Sequence, residues 1–408
     1  MPTMKLDDVL AKRLETLGRE NRLKGDESVI CGVIPAADGK GPRYLIEGEG
    51  ETAFLRMNSN SYLGMSFRPG VVAAEDEAAR SFGTGPGAVR FISGTWSPHV
   101  RLERRLAAFH RREAAMLFSS AYATVMGTLP PLISDKTAVI SDELNHNCII
   151  NAIALARPGE KHIYRHLDID DLERRLGQAA KASQRAIIVT DGIFSMRGDH
   201  APLDRIMALA RRFDAVFAEG FAVVVDDSHG VGAFGSSGRG TEEHTGSAPA
   251  DLLVATLGKA FGVNGGYVVG GHTVIRYLRE TSPFYIYSNP ITPAEAAAAC
   301  AAVDALDSPA GVALVENLRA MAGRFRTGLA NLGFETLPGE HPIVPLMLRD
   351  TARTSDVVAR LKQHGILATG LNYPVVPKGD EEIRFQISAD HTMQDIDEAL
   401  AVLRALSS

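Results

Sequence analysis

The chain has 408 residues, of which 45% are hydrophobic, so it is long enough for two or three domains of about 150 residues each. Its formal net charge of −6 argues against nucleic acid or an anionic membrane as a partner. The 3 cysteines include no CxxC pair, no run approaches the roughly 18 apolar residues of a membrane helix, and the N-terminus lacks a signal pattern. We therefore predict a globular cytoplasmic protein without a membrane span.

Apolar residues recur at spacings of three and four in several segments, which is the pattern of an amphipathic helix. The first such segment, 5–24, is followed by a stretch rich in Gly and Pro, 25–50, that we predict to be a loop or arm. The Ala-rich stretch 294–302 is short and apolar, which indicates a buried helix. The other predicted helices are 100–113, 203–213 and 392–406.

Five continuous apolar runs rich in β-branched residues predict strands. Because they lack polar alternation, they are typical of a parallel sheet that helices cover on both faces. Their alternation with helices predicts an α/β doubly wound core with a mostly parallel sheet. The runs are Thr137–Ile140, Ala186–Thr190, Ala222–Val225, Leu252–Ala255 and Tyr267–Val269.

The pattern changes after about residue 305. Here two segments with the period-2 alternation of strands, 342–348 and 383–388, lie between helical segments and predict a smaller α+β domain. We therefore divide the chain into an N-terminal helix and arm at 1–57, a large domain at 58–303 and a small C-terminal domain at 304–408.

Polar side chains follow four of the predicted strands directly. One such residue alone is more often a helix cap or a turn residue. Ligands of open α/β sheets, however, bind beyond the carboxyl ends of the strands, so four polar strand ends at one edge of a sheet favour a functional site. The segments are Ser141–His146, Thr190–Ser195, Asp226–His229 and Thr256–Lys259.

Lys259 follows an apolar strand and precedes a glycine-rich stretch, 262–266, where backbone can approach a ligand closely. A P-loop would need Gly at position 253 and Ser or Thr at position 260, but the chain has Leu253 and Ala260. We therefore interpret Lys259 as a nucleophile that forms a Schiff base with a carbonyl cofactor.

Pyridoxal phosphate is the cofactor that this chemistry favours, because it needs a lysine, a carboxylate at its ring nitrogen, a flat group on its ring and a phosphate cradle. Asp226 is the candidate for the ring nitrogen, although it could simply cap the following turn. His146 could lie on the ring face, and His229 or Ser195 could reach the phenolic oxygen. The segment Ser119–Ala123 leads into a predicted helix whose free N–H groups could bind the phosphate.

These motifs resemble those of the α-oxoamine synthases, pyridoxal-phosphate enzymes of fold type I that join an amino acid to an acyl-coenzyme A. The resemblance runs from about Asn58 to the C-terminus, while residues 1–57 and 214–225 depart from the family pattern. The matching motifs are Asn60–Gly64, Val89–Thr95 followed by His99, Asp191–Met196, Asp226–His229 and Thr256–Lys259. The segments that most resemble the glycine-using branch, the 2-amino-3-ketobutyrate coenzyme A ligases, are Ser141–His146, Ser288–Asn289, Tyr373–Gly379 and Ile383–Ala389.

The resemblance implies a role for each matching residue. Lys259 would bind the cofactor and, with His229, act as an acid and base, Asp226 would pair with the ring nitrogen, and His146 would stack on the ring. Ser195 and His229 would contact the phenolate oxygen, and backbone at Ala121 and Tyr122, together with Thr256, would contact the phosphate. Ser288 and Asn289 would contact the phosphate of a second subunit in a homodimer. Arg384 would bind the amino acid carboxylate, and Asn60 would contact the substrate.

The implied reaction joins glycine to acetyl-CoA and releases coenzyme A. An alternative within the family is a longer acyl-CoA with serine, alanine or another amino acid, as in serine palmitoyltransferases or 8-amino-7-oxononanoate synthases. A catalytically inactive partner subunit is disfavoured because Lys259, Asp226 and His146 are all present. An aminotransferase or decarboxylase of fold type I would leave Asn60–Gly64 and Val89–His99 unexplained. No hydrolase or metal-binding motif offers a rival chemistry.

Overall fold

The computed structural model of the protein describes residues 4–407 except residues 21, 24, 26 and 374. Its strands, in chain order, are β1 Ile30–Ile34, β2 Arg43–Ile46, β3 Leu55–Arg56, β4 Ala114–Phe118, β5 Thr137–Asp142, β6 Glu160–Tyr164, β7 Arg185–Asp191, β8 Phe221–Asp226, β9 Leu252–Thr256, β10 Gly266–Gly270, β11 Glu335–Thr336, β12 Ile343–Met347, β13 Ile366–Leu367, β14 Thr369–Leu371 and β15 Glu382–Gln386. Its α-helices are α1 Met4–Arg19, α2 Pro69–Phe82, α3 Ser97–Phe109, α4 Ala121–Leu132, α5 Asn147–Ala156, α6 Ile169–Ala179, α7 Leu203–Phe213, α8 Thr241–Thr245, α9 His272–Thr281, α10 Pro283–Ile286, α11 Pro293–Leu306, α12 Pro309–Asn331, α13 Thr351–Gln363 and α14 Met393–Ser407.

A seven-stranded sheet forms the centre of the molecule, with the strand order β4-β10-β9-β8-β7-β5-β6. The five strands from β5 to β9 are parallel to one another. Side chains alternate between two cores, one closed by α6 and α7 and the other by α4, α5 and α9. Because both faces are covered, the inner strands need apolar residues at every position, which explains the continuous runs in the sequence. The predicted α/β doubly wound fold is confirmed.

The strand predicted at 267–269 is present as β10, but it runs antiparallel to both β9 and β4. The connection from β9 to β10, residues 257–265, is too short for the crossover helix that a parallel neighbour requires. Strands β4 and β6 were not predicted. β4 consists of Ala, Met, Leu and Phe, which include good helix formers, and the edge strand β6 carries charged residues instead of an apolar run.

The N-terminal predictions were partly wrong. The helix predicted at 5–24 ends at Arg19, and two of its predicted positions, 21 and 24, lie outside the described residues. The segment 25–50, predicted to be a loop, contains the antiparallel hairpin of β1 and β2. Its first strand is the short apolar run Ile30–Ile34, which was not interpreted as a strand because the segment around it is rich in Gly and Pro. The helix predicted at 203–213 is confirmed as α7, whereas the one predicted at 100–113 spans 97–109 as α3.

A four-stranded antiparallel sheet with the order β11-β12-β15-β14 lies in the C-terminal part. The strands predicted at 342–348 and 383–388 are confirmed as β12 and β15, but all five residues of β12 are buried, so the predicted alternation is absent. Strand β3 pairs in parallel with β13, which joins the N-terminal segment to this part of the chain. The division at residues 57 and 303 stays a prediction.

Among the helices of the described residues, none is by itself both long and apolar enough to cross a membrane. Helices α11 and α12 reach that length and composition only as a pair, and they bend by 78° relative to each other. Most side chains of the Ala-rich helix α11 are buried against the rest of the protein, as the sequence predicted for 294–302.

Candidate active site

A cavity opens at the carboxyl ends of β5, β7, β8 and β9 and at the start of α4. Each of the four predicted strand-end segments contributes to its wall, so the predicted convergence of these segments is confirmed. The lining residues are Ala121, Tyr122, His146, Cys148, Asp191, Ile193, Ser195, Asp226, Ser228, His229 and Lys259.

Lys259 is half-buried in the loop that follows β9. Burial lowers the pKa of its amine, while the nearby carboxylates of Asp226 and Asp191 act in the opposite direction. The net direction is downward, so the amine is closer to neutrality than that of a lysine in water. The neutral amine is the form that attacks a carbonyl group.

The two adjacent aspartates at the end of β8 have different surroundings. Asp226 accepts a hydrogen bond from the N–H of Ser228 at 3.1 Å, and its other oxygen lies 3.7 Å from the sulfur of Cys148. Asp227 points away from the cavity and accepts hydrogen bonds from the N–H and hydroxyl of Thr241, at 2.7 and 2.6 Å. Burial raises the pKa of Asp227 to about 7. Asp227 therefore fixes the turn, and Asp226 is the carboxylate that can meet a cationic ring nitrogen.

His146 is the N-cap of α5, where its Nδ1 accepts a hydrogen bond from the N–H of Cys148 at 3.2 Å. The backbone N–H of His146 donates to the carboxylate of Asp191 at 2.9 Å. Burial lowers the pKa of the imidazole, more than the charge of Asp226 raises it, so the ring is neutral. The sulfur of Cys148 lies 2.9 Å from the same Nδ1. Cys148 was not predicted as a site residue, and its spacing of two from His146 was the only signal in the sequence.

His229 is buried beside Tyr62, with 2.8 Å between the hydroxyl of Tyr62 and Nδ1 of His229. Burial lowers the pKa of the imidazole well below its usual value and raises that of the Tyr62 hydroxyl. A second buried histidine, His341, lies with its Nε2 at 2.9 Å from the carbonyl oxygen of His229. Tyr62 belongs to the matching motif Asn60–Gly64 but was given no role of its own, and His341 was not singled out, because local patterns do not indicate a partner more than a hundred residues away.

The N-terminus of α4 forms one end of the cavity. The Ser120 hydroxyl accepts a hydrogen bond from Ala123 at 3.1 Å, while the N–H groups of Ala121 and Tyr122 belong to the first turn, which has no intrahelical partners. Backbone of β10 lies against this turn, since a Cβ at Gly266 would come within 2.4 Å of the Ala121 nitrogen. Such a helix N-terminus binds a phosphate well.

The three side chains predicted to contact the cofactor phosphate, those of Thr256, Ser288 and Asn289, do not line the cavity. The hydroxyl of Thr256 accepts a hydrogen bond from Gly258 at 3.0 Å, one residue before Lys259. Ser288 is half-buried and Asn289 exposed, and both follow α10. The predicted contact of Ser288 and Asn289 with a second subunit stays a prediction.

Arg384 and Asn60 lie next to the cavity. Arg384 contacts Ser195, which lines it, and Asn60 lies beside Tyr62, which contacts the lining residue His229. The Nη1 of Arg384 on β15 donates to the carbonyl oxygen of Ser195 at 3.0 Å, and its buried Nε has no hydrogen-bond partner within the described part of the chain. The side-chain oxygen of Asn60 accepts a hydrogen bond from Gln386 and lies 3.4 Å from the hydroxyl of Tyr62. Arg384 therefore keeps donors that a carboxylate could use.

These residues fit pyridoxal phosphate. Lys259 supplies an amine with a lowered pKa, Asp226 a buried carboxylate and His146 a flat neutral ring, all in one cavity. The first turn of α4 supplies free N–H groups at the cavity wall, and Gly266 allows the close approach of backbone that keeps this turn in place. The four requirements of the cofactor are met together.

Residues 52–403 match the family model described as aminotransferase class I and II. The chain is 40% identical over 362 residues to the 8-amino-7-oxononanoate synthase of Thermosipho melanesiensis, covering 88% of this chain and 89% of the relative. It is 40% identical over 360 residues to the human mitochondrial 2-amino-3-ketobutyrate coenzyme A ligase, covering 88% of this chain and 83% of the relative.

Solved structures of serine palmitoyltransferases have the same fold as this chain. The serine palmitoyltransferase of Sphingomonas wittichii matches with a TM-score of 0.87 and 27% identity, covering 99% of this chain and 98% of that one. A serine palmitoyltransferase solved with pyridoxal phosphate matches at 28% identity, also with a TM-score of 0.87. The chain thus belongs to the aminotransferase class I and II family and, within it, to the α-oxoamine synthases, pyridoxal-phosphate enzymes of fold type I.

Proposed function

We propose that the protein condenses glycine with acetyl-CoA, releases coenzyme A and forms an α-amino-β-keto acid. The arrangement of Lys259, Asp226 and His146 around one cavity, with Arg384 beside it, is the observation that carries the proposal. The choice of glycine and acetyl-CoA is supported by the likeness of two C-terminal segments, 373–379 and 383–389, to the ligase branch and by the human relative of that name. Residue 374 in the first of these segments lies outside the described residues.

Bound pyridoxal phosphate supplies an electron-withdrawing ring for the α-carbon of the amino acid. Lys259 would hold the cofactor through its Nζ, and the lowered pKa of the free amine suits it to accept the α-proton of the amino acid. Asp226 keeps the ring nitrogen protonated through its negative charge, since opposite charges in contact favour the protonated base. The neutral ring of His146, which lines the cavity, would cover one face of the cofactor.

Tyr62 determines which nitrogen of His229 faces the cofactor. Because burial raises the pKa of Tyr62, its hydroxyl keeps its proton, and we infer that it donates this hydrogen to Nδ1 of His229 at 2.8 Å and not to Asn60 at 3.4 Å. The neutral imidazole then carries its hydrogen on Nε2, which becomes a donor toward the phenolate oxygen together with Ser195. The same Nε2–H can donate a hydrogen bond to the thioester carbonyl oxygen as that oxygen develops negative charge, which stabilises the charge without moving the proton.

The remaining roles concern binding. Backbone N–H groups of Ala121 and Tyr122, supported by Thr256, hold the phosphate at the start of α4. Arg384 binds the carboxylate of the amino acid with its fork of N–H donors, and Asn60 contacts the substrate. Two residues of a second copy, at positions 288 and 289, complete the phosphate site of a homodimer, and the protein acts in the cytoplasm.

A second candidate keeps the chemistry and changes the substrates to a longer acyl-CoA with alanine or serine. The relatives support it directly, because the 8-amino-7-oxononanoate synthase is as similar in sequence as the ligase, at 40% identity for both. The acyl group enters past the N-terminal segment, which departs most from the family pattern.

Release of coenzyme A thiol tests the proposal. The holoenzyme is offered glycine, alanine and serine, each with acetyl-, succinyl-, pimeloyl- and palmitoyl-CoA, and the Lys259→Ala variant serves as the control for background thioester hydrolysis. A maximum with glycine and acetyl-CoA is expected. A maximum with another pair would replace the proposed substrates, and no release above the variant with any pair would overturn the synthase activity.

A further inference from the structure

His166 lies between two carboxylates at the edge of the large sheet. Its Nδ1 is 3.0 Å from Oδ1 of Asp142, and its Nε2 is 3.2 Å from Oδ2 of Asp199. The ring also meets Phe194 edge-on, with 4.4 Å between the ring centroids. Both ring nitrogens face an acceptor, so both carry a hydrogen and the imidazole is in its charged form.

The two carboxylates belong to different loops of the site. Asp142 ends β5 and accepts hydrogen bonds from the N–H groups of Leu144 and Leu167, at 2.9 and 3.0 Å, at the start of the loop that carries His146. Asp199 lies in the turn 194–199 after β7. Here its carbonyl oxygen accepts a hydrogen bond from the N–H of Phe194 at 3.0 Å.

The turn 194–199 is in direct contact with Arg384. The carbonyl oxygen of Ser195, in this turn, accepts the hydrogen bond from Nη1 of Arg384 at 3.0 Å. The guanidinium is thereby oriented by one backbone carbonyl, while its buried Nε remains without a partner among the described residues. A displacement of the turn would therefore change the direction of the donors that Arg384 presents.

We propose that His166 is a positioning residue for the amino acid substrate, which holds the turn 194–199 so that Ser195 orients Arg384. The inference rests on the proposed function, in which Arg384 binds the carboxylate of the amino acid. His166 itself contacts neither the substrate nor the cofactor and acts through the turn alone.

The charge of His166 links this arrangement to pH. Burial alone would lower the pKa of the imidazole, but the carboxylates of Asp142 and Asp199 outweigh burial and raise it to about 9. Arg197 donates to Asp199 at 2.8 Å, and Glu143 accepts from the backbone N–H of His166 at 2.8 Å. Glu382, whose pKa burial raises to about 8, also interacts with Arg384, Arg197 and Asp199. A raised pKa means that the charged contact is complete at neutral pH and is lost as the pH rises through about 9.

The dissociation constant of glycine tests the proposal without any turnover, because binding of an amino acid changes the absorption of the bound cofactor. For His166→Gln holoenzyme we expect this constant to rise roughly tenfold at pH 7.5, with cofactor content unchanged. The control is His162→Gln. His162 also pairs with a carboxylate, that of Glu160 at 2.8 Å, but it has no contact with the turn 194–199, so its constant should equal that of the unmodified protein.

Two further measurements separate positioning from a general structural effect. If His166 acts through Arg384, the double variant His166→Gln, Arg384→Ala binds glycine no more weakly than Arg384→Ala alone. Between pH 8 and 10 the unmodified protein should lose glycine affinity with a midpoint near 9, and His166→Gln should lack that component. Should His166→Gln fold poorly, Asp199→Asn removes the charge of the contact from the other side, and its pH profile should lack the same component.

An unchanged dissociation constant in both His166→Gln and Asp199→Asn would overturn the proposal, as would full additivity in the double variant. These outcomes are distinct from a failure of the proposed function. If Arg384→Ala binds glycine as well as the unmodified protein does, Arg384 does not bind the amino acid carboxylate and the proposed function is contradicted at that point. If Arg384→Ala binds glycine weakly and His166→Gln does not, only the positioning role of His166 is contradicted.

Discussion

Burial favours the neutral form of each basic group at the centre of the site. It lowers the pKa of Lys259, His146 and His229 in every case, despite the opposing charge of Asp226 on the first two. Neutral imidazoles can stack on a ring or donate one defined hydrogen, and a neutral amine can accept a proton. Their burial in the cavity wall therefore prepares all three side chains for their proposed tasks.

At the same scale, Arg384→Lys should raise the KM for the amino acid about 10- to 100-fold while kcat changes only a few-fold. A lysine supplies a point charge, but it loses both the planar fork and the hydrogen bond with the carbonyl oxygen of Ser195. Steady-state kinetics with varied glycine measures the change. Arg349→Lys, at an exposed ion pair with Glu335, is the control, and an unaltered KM in Arg384→Lys would remove Arg384 from carboxylate binding.

At the scale of elements, β10 supports the start of α4. Gly266→Ala would place a Cβ within 2.4 Å of the Ala121 nitrogen, so the first turn of the helix must move. We expect the dissociation constant of pyridoxal phosphate to rise roughly 10- to 100-fold, as judged by titration of the apoprotein. Gly177→Ala in α6 meets nothing within 4 Å and should leave it unchanged. Equal cofactor affinity in Gly266→Ala would refute the phosphate site at this turn.

Most elements that carry the site could be predicted from the sequence. The runs before Ser141, Thr190, Asp226 and Thr256 are continuous and apolar because helices cover both faces of the sheet, and such a sheet gathers its polar strand ends at one edge. The reversed direction of β10 could not be predicted, since a strand of Gly, Tyr and Val is compatible with either direction. The hairpin of β1 and β2 was missed because the Gly and Pro residues around the short run Ile30–Ile34 indicated a loop.

The rest of the site was not accessible to the same reasoning. Tyr62 and His341 reach His229 through contacts between side chains far apart in the sequence, for which no local spacing gives a signal. Cys148 lies in a helix and faces the cavity only because His146 caps that helix. Of the two aspartates at the end of β8, the hydrogen bonds of Asp227 with the start of α8 identify the structural one.

At the scale of the whole molecule, a buried ion pair joins the N-terminal and C-terminal parts of the chain. Arg43 on β2 donates to Asp395 in α14 at 2.7 Å, and Asp395 also accepts from the N–H groups of Gly41 and Thr392, each at 2.8 Å. Burial would raise the pKa of Asp395, but these hydrogen bonds and the charge of Arg43 outweigh it and lower the pKa. A lowered pKa means that the pair stabilises the fold above about pH 4 and that this stabilisation is lost as the pH falls further.

Asp395→Asn should therefore lower the free energy of unfolding by about 3 kcal/mol at pH 7, because it leaves the buried guanidinium of Arg43 without its main partner. Denaturant unfolding measures the difference, which should shrink as the pH is lowered below about 4. Asp397→Asn in the same helix breaks only an exposed pair with Arg324, so its unfolding midpoint should not move. A midpoint of Asp395→Asn equal to that of the unmodified protein would contradict the linking role of the pair.

The site as a whole depends on one lysine, and the most direct measurement is to locate the cofactor on the chain. Holoenzyme is reduced with borohydride, which fixes pyridoxal phosphate to the lysine that holds it, and the digested protein is analysed by mass spectrometry. The cofactor is expected on the peptide that contains Lys259 and on no other, and the Lys259→Ala variant should carry none after the same treatment. Attachment at a different lysine, or an unmodified Lys259 in active holoenzyme, would contradict the account.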